Sequence, residues 1–279
     1  MEEKMSFNGV NAEIIKNKKL FIFDMDGTIY LGGRPFGFAI DFIKNLRKNG
    51  KKVLFFTNNA SHTSPFYLKK LERLGFEPSM DEIMTSGDVT YEFLKRHRAG
   101  CSIYIVATDE LVEEYRQKGL NILNGKENIE RADIVITSFD TSLTYEKLDI
   151  ACRLIRNGAE YLSTHPDFNC PTENGFIPDS GAIAALVTAS TGEKPVYFGK
   201  PYKETVEMIG EATGFENGEM CIFGDRLYTD IALGKSFGVT SVLVLSGETQ
   251  QEDVDAALEK DKPDFTFPSL AEVDELIFG

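Results

Sequence analysis

The sequence predicts an α/β protein: a doubly wound, Rossmann-like parallel sheet interrupted by a second, inserted α/β unit. Three observations carry this reading. Short apolar runs of strand length alternate with amphipathic segments of helix length along the whole chain. The first such run, Leu20-Phe21-Ile22-Phe23, is apolar on both faces, as strands buried in parallel sheets are. The character of the chain shifts near Ile83 and returns to its first pattern near Val196. That places the boundaries of the core at residues 1–84 plus 194–279, with the inserted unit at 85–193.

Taken in order, the first strand ends in Asp24-Met25-Asp26-Gly27-Thr28, and Leu31 to Pro35 reads as loop. Phe38 to Asn49 reads as a helix, apolar at 39, 40, 42, 43 and 46 and closed by Gly50. The second strand, Lys52 to Phe56, runs into Thr57-Asn58-Asn59-Ala60-Ser61, and a helix from Ser64 to Leu74 ends at Gly75. Strand, helix and strand in this order make a right-handed crossover and so predict parallel pairing. The inserted block offers helices over 88–98, 109–118, 144–157 and 181–191, and strands over 102–106, 133–136 and 160–162. Thr164 to Pro171 is rich in turn formers and reads as irregular. Strands over 196–198, 220–223, 240–245 and 265–267 complete the first pattern, with a helix over 202–212. Ser269 with Glu272 forms a capping box for a last helix.

Composition excludes several classes. No apolar run approaches the roughly 18 residues of a membrane span, and Met1-Glu2-Glu3-Lys4 lacks the basic start and apolar core of a signal peptide. Acids outnumber bases 44 to 30, for a formal charge of −14. A body this acidic argues against sequence-independent binding to nucleic acid or to an anionic membrane surface. It also requires that any phosphorylated substrate be drawn in by a local cation. Cys101, Cys152, Cys170 and Cys221 show no C-x-x-C spacing and no nearby partner histidines, so they read as reduced thiols of a cytoplasmic protein.

Function is written at the strand ends, where doubly wound sheets bind ligands. Ending a buried strand in two acids is costly unless something cationic sits there, and residues two apart on an extended chain point the same way. Asp24 and Asp26 can therefore face one small volume. Thr57 with Asn58, Lys200, and Asp225 with Asp230 follow at later strand ends or loops. Each has an ordinary explanation: an N-cap for Thr57-Asn58-Asn59, a solvated lysine at a helix start for Lys200, loop acids for Asp225 and Asp230. Together they suit one chemistry. Asp24, Asp26 and Asp225 offer hard oxygen ligands to Mg2+, and a hydroxyl, an amide and a lysine offer donors to a phosphate. One carboxylate can attack phosphorus in line while a second handles the proton. An EF-hand reading of the D-x-D fails, because Ile29 stands at the sixth loop position and Pro35 at the twelfth. Neither G-x-x-x-x-G-K-[ST] nor G-x-G-x-x-G occurs.

Asp24-Met25-Asp26-Gly27-Thr28, Thr57-Asn58, Lys200 and Gly224-Asp225-Arg226-Leu227-Tyr228-Thr229-Asp230 resemble, in order, the four signature motifs of the haloacid dehalogenase (HAD) superfamily. The resemblance implies Asp24 as nucleophile and Asp26 as general acid/base. It implies Thr57, Asn58 and Lys200, together with the adjacent Asn59, as phosphate binders. It also implies Mg2+ on Asp24, the Asp26 main-chain carbonyl and Asp225, with Asp230 orienting the metal site. An aspartate at 26 is the phosphatase and phosphomutase pattern. The long stretch lies between Thr57 and Lys200, which resembles the branch with a C2-type cap. Thr57-Asn58-Asn59-Ala60-Ser61, Leu143 to Leu148, and Pro166-Asp167 ahead of Gly181-Ala182 are similar to the NagD and p-nitrophenyl-phosphatase group. That implies a small phosphorylated metabolite as substrate, a sugar phosphate, nucleoside monophosphate or p-nitrophenyl phosphate, and homodimers through the cap. A phosphotransferase or mutase with the same nucleophile, or a non-catalytic binder of a phosphorylated metabolite, is the alternative. Two departures fall in the inserted block: His165 stands where the group often has Asn, and Asp179-Ser180 replaces a small, glycine-containing turn. A histidine before proline in a loop reads as a surface residue in preference to a substrate contact.

Overall fold

The computed structural model describes residues 13–125, 129–172 and 175–279; the opening tetrapeptide read for a leader lies outside them. The first elements are α1 (Glu13–Lys16), β1 (Leu20–Phe23), β2 (Tyr30–Leu31), β3 (Arg34–Pro35) and α2 (Gly37–Lys48). Next come β4 (Lys52–Thr57), α3 (Ser64–Arg73), β5 (Ile83–Thr85), α4 (Ser86–His97), β6 (Ser102–Val106), α5 (Asp109–Gln117) and β7 (Asn121–Ile122). The middle continues with β8 (Ile134–Thr137), α6 (Tyr145–Arg156), β9 (Glu160–Ser163), β10 (Asn169–Thr172), β11 (Gly175–Pro178) and α7 (Ser180–Thr191). Then follow β12 (Val196–Tyr197), α8 (Lys203–Thr213), β13 (Met220–Gly224), a π-helical turn (Leu227–Ile231) and α9 (Ala232–Phe237). The chain finishes with β14 (Thr240–Val244), α10 (Gln251–Ala256), β15 (Phe265–Phe267) and α11 (Leu270–Phe278). Two compact units form: residues up to Phe56 with Leu68–Met84 and Val206–Gly279, and Thr57–Tyr67 with Thr85–Thr205.

The first unit carries a sheet ordered β15-β14-β13-β1-β4-β5. The pairings of β1 with β13 and β4, of β13 with β14, and of β14 with β15 are all parallel. The chain winds outward from β1 through β4 to β5, then restarts on the other side with β13. The winding therefore reverses between β1 and β13, and their carboxyl ends open a crevice. An aromatic cluster anchors these two strands: Phe223 stacks on Phe23 at 4.9 Å and on Phe21 at 5.9 Å, with Phe42 of α2 edge-on to all three. The amphipathic pattern of α2 buries Ala39, Phe42, Ile43 and Leu46.

The second unit holds its own sheet, β12-β9-β8-β6-β7, parallel at every pairing. Strands β8 and β6 are buried almost throughout. Tyr104, Val106 and Val135 pack with Leu154 and Ile155 of α6 and with Ile183 and Val187 of α7. No helix among the described residues is long and apolar enough to cross a membrane.

Several expectations change in detail. Leu31 to Pro35 is not plain loop: Tyr30 pairs with Pro35 and Leu31 with Arg34 across Gly32-Gly33, a two-residue hairpin turn of the Gly-Gly kind. The segment after His165 is not wholly irregular, since β10 pairs antiparallel with β11. Its prolines and exposed side chains hid it, because an isolated hairpin lacks the alternating apolar face that marks a strand. Helix α4 begins two residues earlier than expected, because Thr85 and Asp88 cap it reciprocally.

Replacing Phe223 with alanine should destabilise the protein by about 3–5 kcal/mol, as large-to-small core changes of this kind do. Urea unfolding that returned a wild-type midpoint would refute the anchoring role given to this ring.

Candidate active site

Asp24 follows β1 directly, and its N–H donates to the Phe223 carbonyl of β13 at 2.8 Å, so the β1–β13 ladder runs on to the carboxylate. Asp225 follows β13 in the same way. The π-helical turn then folds Asp230 back over the strand end: a Cβ on Gly224 would collide with the Asp230 side chain, so only glycine fits there. One carboxylate oxygen from each of Asp24, Asp225 and Asp230 lies within 4.8 Å of the others. Asp24 is half-buried, whereas Asp225 and Asp230 are buried.

Asp225 is held tightly. Cβ atoms on Gly27 or Gly247 would overlap its carboxylate, so two backbones close on it. Its Oδ2 accepts the Glu248 N–H at 2.7 Å, while the buried Oδ1 has no hydrogen-bond partner among the described residues. Burial pushes this carboxyl up to about 6, and the negative charge of Asp230 adds to the shift. A buried acid with an unsatisfied oxygen beside two further carboxylates is the donor set of a hard divalent cation. The carboxylates of Asp24, Asp225 and Asp230 together fit a hard cation such as Mg2+.

The Asp26 side chain is not part of this trio. Its residue forms an isolated bridge to Tyr30, at the start of the β2–β3 hairpin. Burial raises its pKa against the opposing pull of Lys70, the Gly32 N–H and Arg226. Lys70 lies over the Tyr30 ring at 4.1 Å. A carboxyl kept apart from the cation cluster and biased toward its protonated form has the properties of a general acid.

The other expected residues collect in the second unit. Lys200 is 1% exposed, so it is not a solvated lysine, and α8 begins only at Lys203. Asn58 grips the Lys200 main chain from both sides: its Nδ2 donates to the carbonyl at 2.9 Å and its Oδ1 accepts the N–H at 2.7 Å. Thr57 Oγ1 accepts the Asn59 N–H at 3.2 Å, and Asn59 Oδ1 accepts from Ser61. These turns finish well before α3 starts at Ser64, which removes the N-cap explanation for Thr57 to Asn59.

Three contributors escaped the sequence reading. Glu248 supplies a backbone N–H to Asp225, Ser246 Oγ donates to the Gly27 carbonyl at 2.8 Å, and Asp167 accepts from Asn58 Nδ2. Ser246-Gly247-Glu248 follows a strand too, and treating every strand end alike would have flagged it. His165 reverses an expectation: it is fully buried, not a surface residue.

A family described as haloacid dehalogenase-like hydrolase matches residues 21–121, and another, described as HAD-hydrolase-like, matches residues 197–273. A 5'-nucleotidase of Bacillus subtilis is 33% identical over 258 residues, 92% of this chain and 98% of its own. The chain belongs to the haloacid dehalogenase-like hydrolases. A 4-nitrophenylphosphatase from Thermotoga maritima is 40% identical to this hydrolase, with a TM-score of 0.88 over 95% of this chain and 99% of that one. A glycerol phosphate phosphatase from Mycobacterium tuberculosis, solved in complex with magnesium, is 28% identical, with a TM-score of 0.86 over 93% of this chain and 77% of that one.

The raised Asp225 carboxyl sets a pH signature for the metal-free hydrolase. The folded state holds this proton more tightly than the unfolded state, whose carboxyl titrates near 3.8, so stability is lost as pH rises from there to about 6. Thermal melts of wild type and Asp225→Asn should diverge across this window, the wild type losing ground. Mg2+ at neutral pH should raise the wild-type Tm and leave that of Asp225→Asn unmoved; parallel curves would refute the assignment.

Proposed function

We propose that this hydrolase is a Mg2+-dependent phosphatase of small phosphomonoesters that works through an aspartyl-phosphate on Asp24. The observation that carries the reading is the close trio of Asp24, Asp225 and Asp230, whose buried Asp225 Oδ1 lacks a hydrogen-bond partner among the described residues. The phosphatase names of its relatives support the reaction class, and the magnesium-bound relative supports the metal.

Asp24, Asp225 and the Asp26 carbonyl would hold Mg2+, with Asp230 beside them. When bound, the ion neutralises the carboxylates and the phosphoryl oxygens, which lets an anionic nucleophile approach an anionic ester. Asp24 attacks phosphorus in line, and the ester oxygen leaves. Asp26, biased toward its protonated form, delivers a proton to that oxygen and then takes one from the water that hydrolyses the aspartyl-phosphate. Thr57, Asn58, Asn59 and Lys200 bind the phosphoryl group, with Lys200 supplying the local cation that an acidic protein needs to capture it. In this reading residues 1–84 and 194–279 form the catalytic core. Residues 85–193 form the cap, which selects the leaving group and makes the homodimer contact. The relatives' names differ in that leaving group, a nitrophenol, a nucleoside or glycerol, as expected if the reaction belongs to the core. The enzyme is cytoplasmic, in keeping with the absence of disulfides among the described residues.

Purified protein should release phosphate from p-nitrophenyl phosphate with Mg2+ and stop when it is chelated. Asp24→Asn should abolish turnover at an unchanged Tm; full activity in that variant would sink the proposal. Asp26→Ala should lose about 10²–10⁴-fold in rate, the usual contribution of a general acid/base, while acid quenching still traps some phosphoenzyme.

A further inference from the structure

The two departures noted in the inserted block, His165 and Asp179, are hydrogen-bonded to each other. His165 is fully buried, and its Nε2 donates to Asp179 Oδ1 at 2.8 Å. The same oxygen accepts the Ser180 N–H at 2.6 Å, at the start of α7. The loop around the histidine is fastened to that helix by main-chain bonds as well. Asp179 N–H donates to the Phe168 carbonyl at 3.0 Å, and Gly181 N–H to the Asp167 carbonyl at 2.8 Å. A side chain at 181 would strike the Pro166 carbonyl, so the loop lies directly on the helix backbone.

On the other side of the ring, Nδ1 lies 3.0 Å from Thr164 Oγ1 and 3.3 Å from Ser86 Oγ. Ser86 Oγ donates onward to the Asn58 carbonyl at 2.5 Å. Asn58 in turn grips the Lys200 main chain and donates to the Asp167 carboxylate at 3.2 and 3.3 Å. A second contact reaches the same place directly. The backbone of Gly199 approaches so closely that an added Cβ would lie 2.7 Å from Asn58 Oδ1 and 3.1 Å from both His165 Cβ and Ser86 Cβ. An imidazole and a carboxylate without water are costly unless satisfied. These are satisfied by the groups that set the path of the chain into Lys200.

We infer that His165 and Asp179 are positioning residues for Lys200, acting through Ser86, Asn58 and the Gly199 backbone. The pair holds the loop that presents the Lys200 ammonium to a phosphoryl group. The inference rests on the phosphate-binding role proposed for Lys200 above. Because His165 exposes no surface, it works by what it holds and not by touching substrate.

The test is calorimetric binding of inorganic phosphate in Mg2+, which needs no turnover, on wild type, His165→Leu, His165→Gln, Asp179→Asn and the His165→Leu/Asp179→Asn double variant. His165→Leu and Asp179→Asn should each weaken phosphate binding about tenfold, and the double variant no more than the worse single, as members of one network do. His165→Gln, whose amide can still donate to Asp179, should recover most of the affinity at a Tm equal to that of His165→Leu. Wild-type phosphate affinity in a folded His165→Leu or Asp179→Asn would overturn the inference, as would strictly additive losses. Should His165→Leu fail to fold, Asp179→Asn decides alone. Wild type that binds phosphate but never releases it from an ester would overturn the proposed function and leave this inference standing.

Discussion

A concentration of negative charge at the carboxyl ends of β1 and β13 is the constraint on which the first unit depends. Asp24, Asp225 and Asp230 are crowded to within 4.8 Å with little solvent around them, and two glycine backbones seal Asp225 in place. Like charges in a low dielectric repel and are poorly hydrated. The arrangement is tolerable only if a proton or a cation relieves it, and the raised Asp225 carboxyl is the sign of that strain when only protons are available. The aromatic cluster of Phe21, Phe23, Phe42 and Phe223 behind the strand ends holds β1 and β13 in register against this repulsion.

The two aspartates of the opening motif are separated in environment although only one residue lies between them. Asp24 joins the cation cluster, while the chain turns at Gly27 and sends Asp26 into the base of the β2–β3 hairpin, near Lys70 and Arg226. Burial raises one carboxyl while its neighbour faces a site built for positive charge. That division is what a nucleophile and a proton carrier require of two chemically identical groups.

The second unit solves a different problem, the presentation of one buried lysine from a loop. Loops are free to move unless their backbone groups are tied down. Here Asn58 binds the Lys200 main chain on both sides, and the His165–Asp179 pair anchors that asparagine and the adjoining Pro166-Asp167 turn to the start of α7. The network mixes side chain to backbone with side chain to side chain bonds, which ties flexible segments with few residues.

Much of this molecule is legible from the sequence because its signals are local. Apolar runs mark β1, β4, β6 and β13, and Thr144, Ser269 with Glu272, and Gly50 mark helix ends, since each of these effects acts within a few residues. The carboxylates Asp24, Asp26 and Asp225 are legible for the same reason: they stand where buried strands end. The rest depends on contacts between residues far apart in the chain. A π-helical turn brings Asp230 into the cluster, the strand end after β14 supplies the Glu248 N–H, and His165 is buried because Ser86 and Asp179 close on it. Local pattern fixes which residues lie at strand ends. Only the packing of distant segments decides which of them lose water, and it is the loss of water that turns an ordinary histidine or aspartate into a working group.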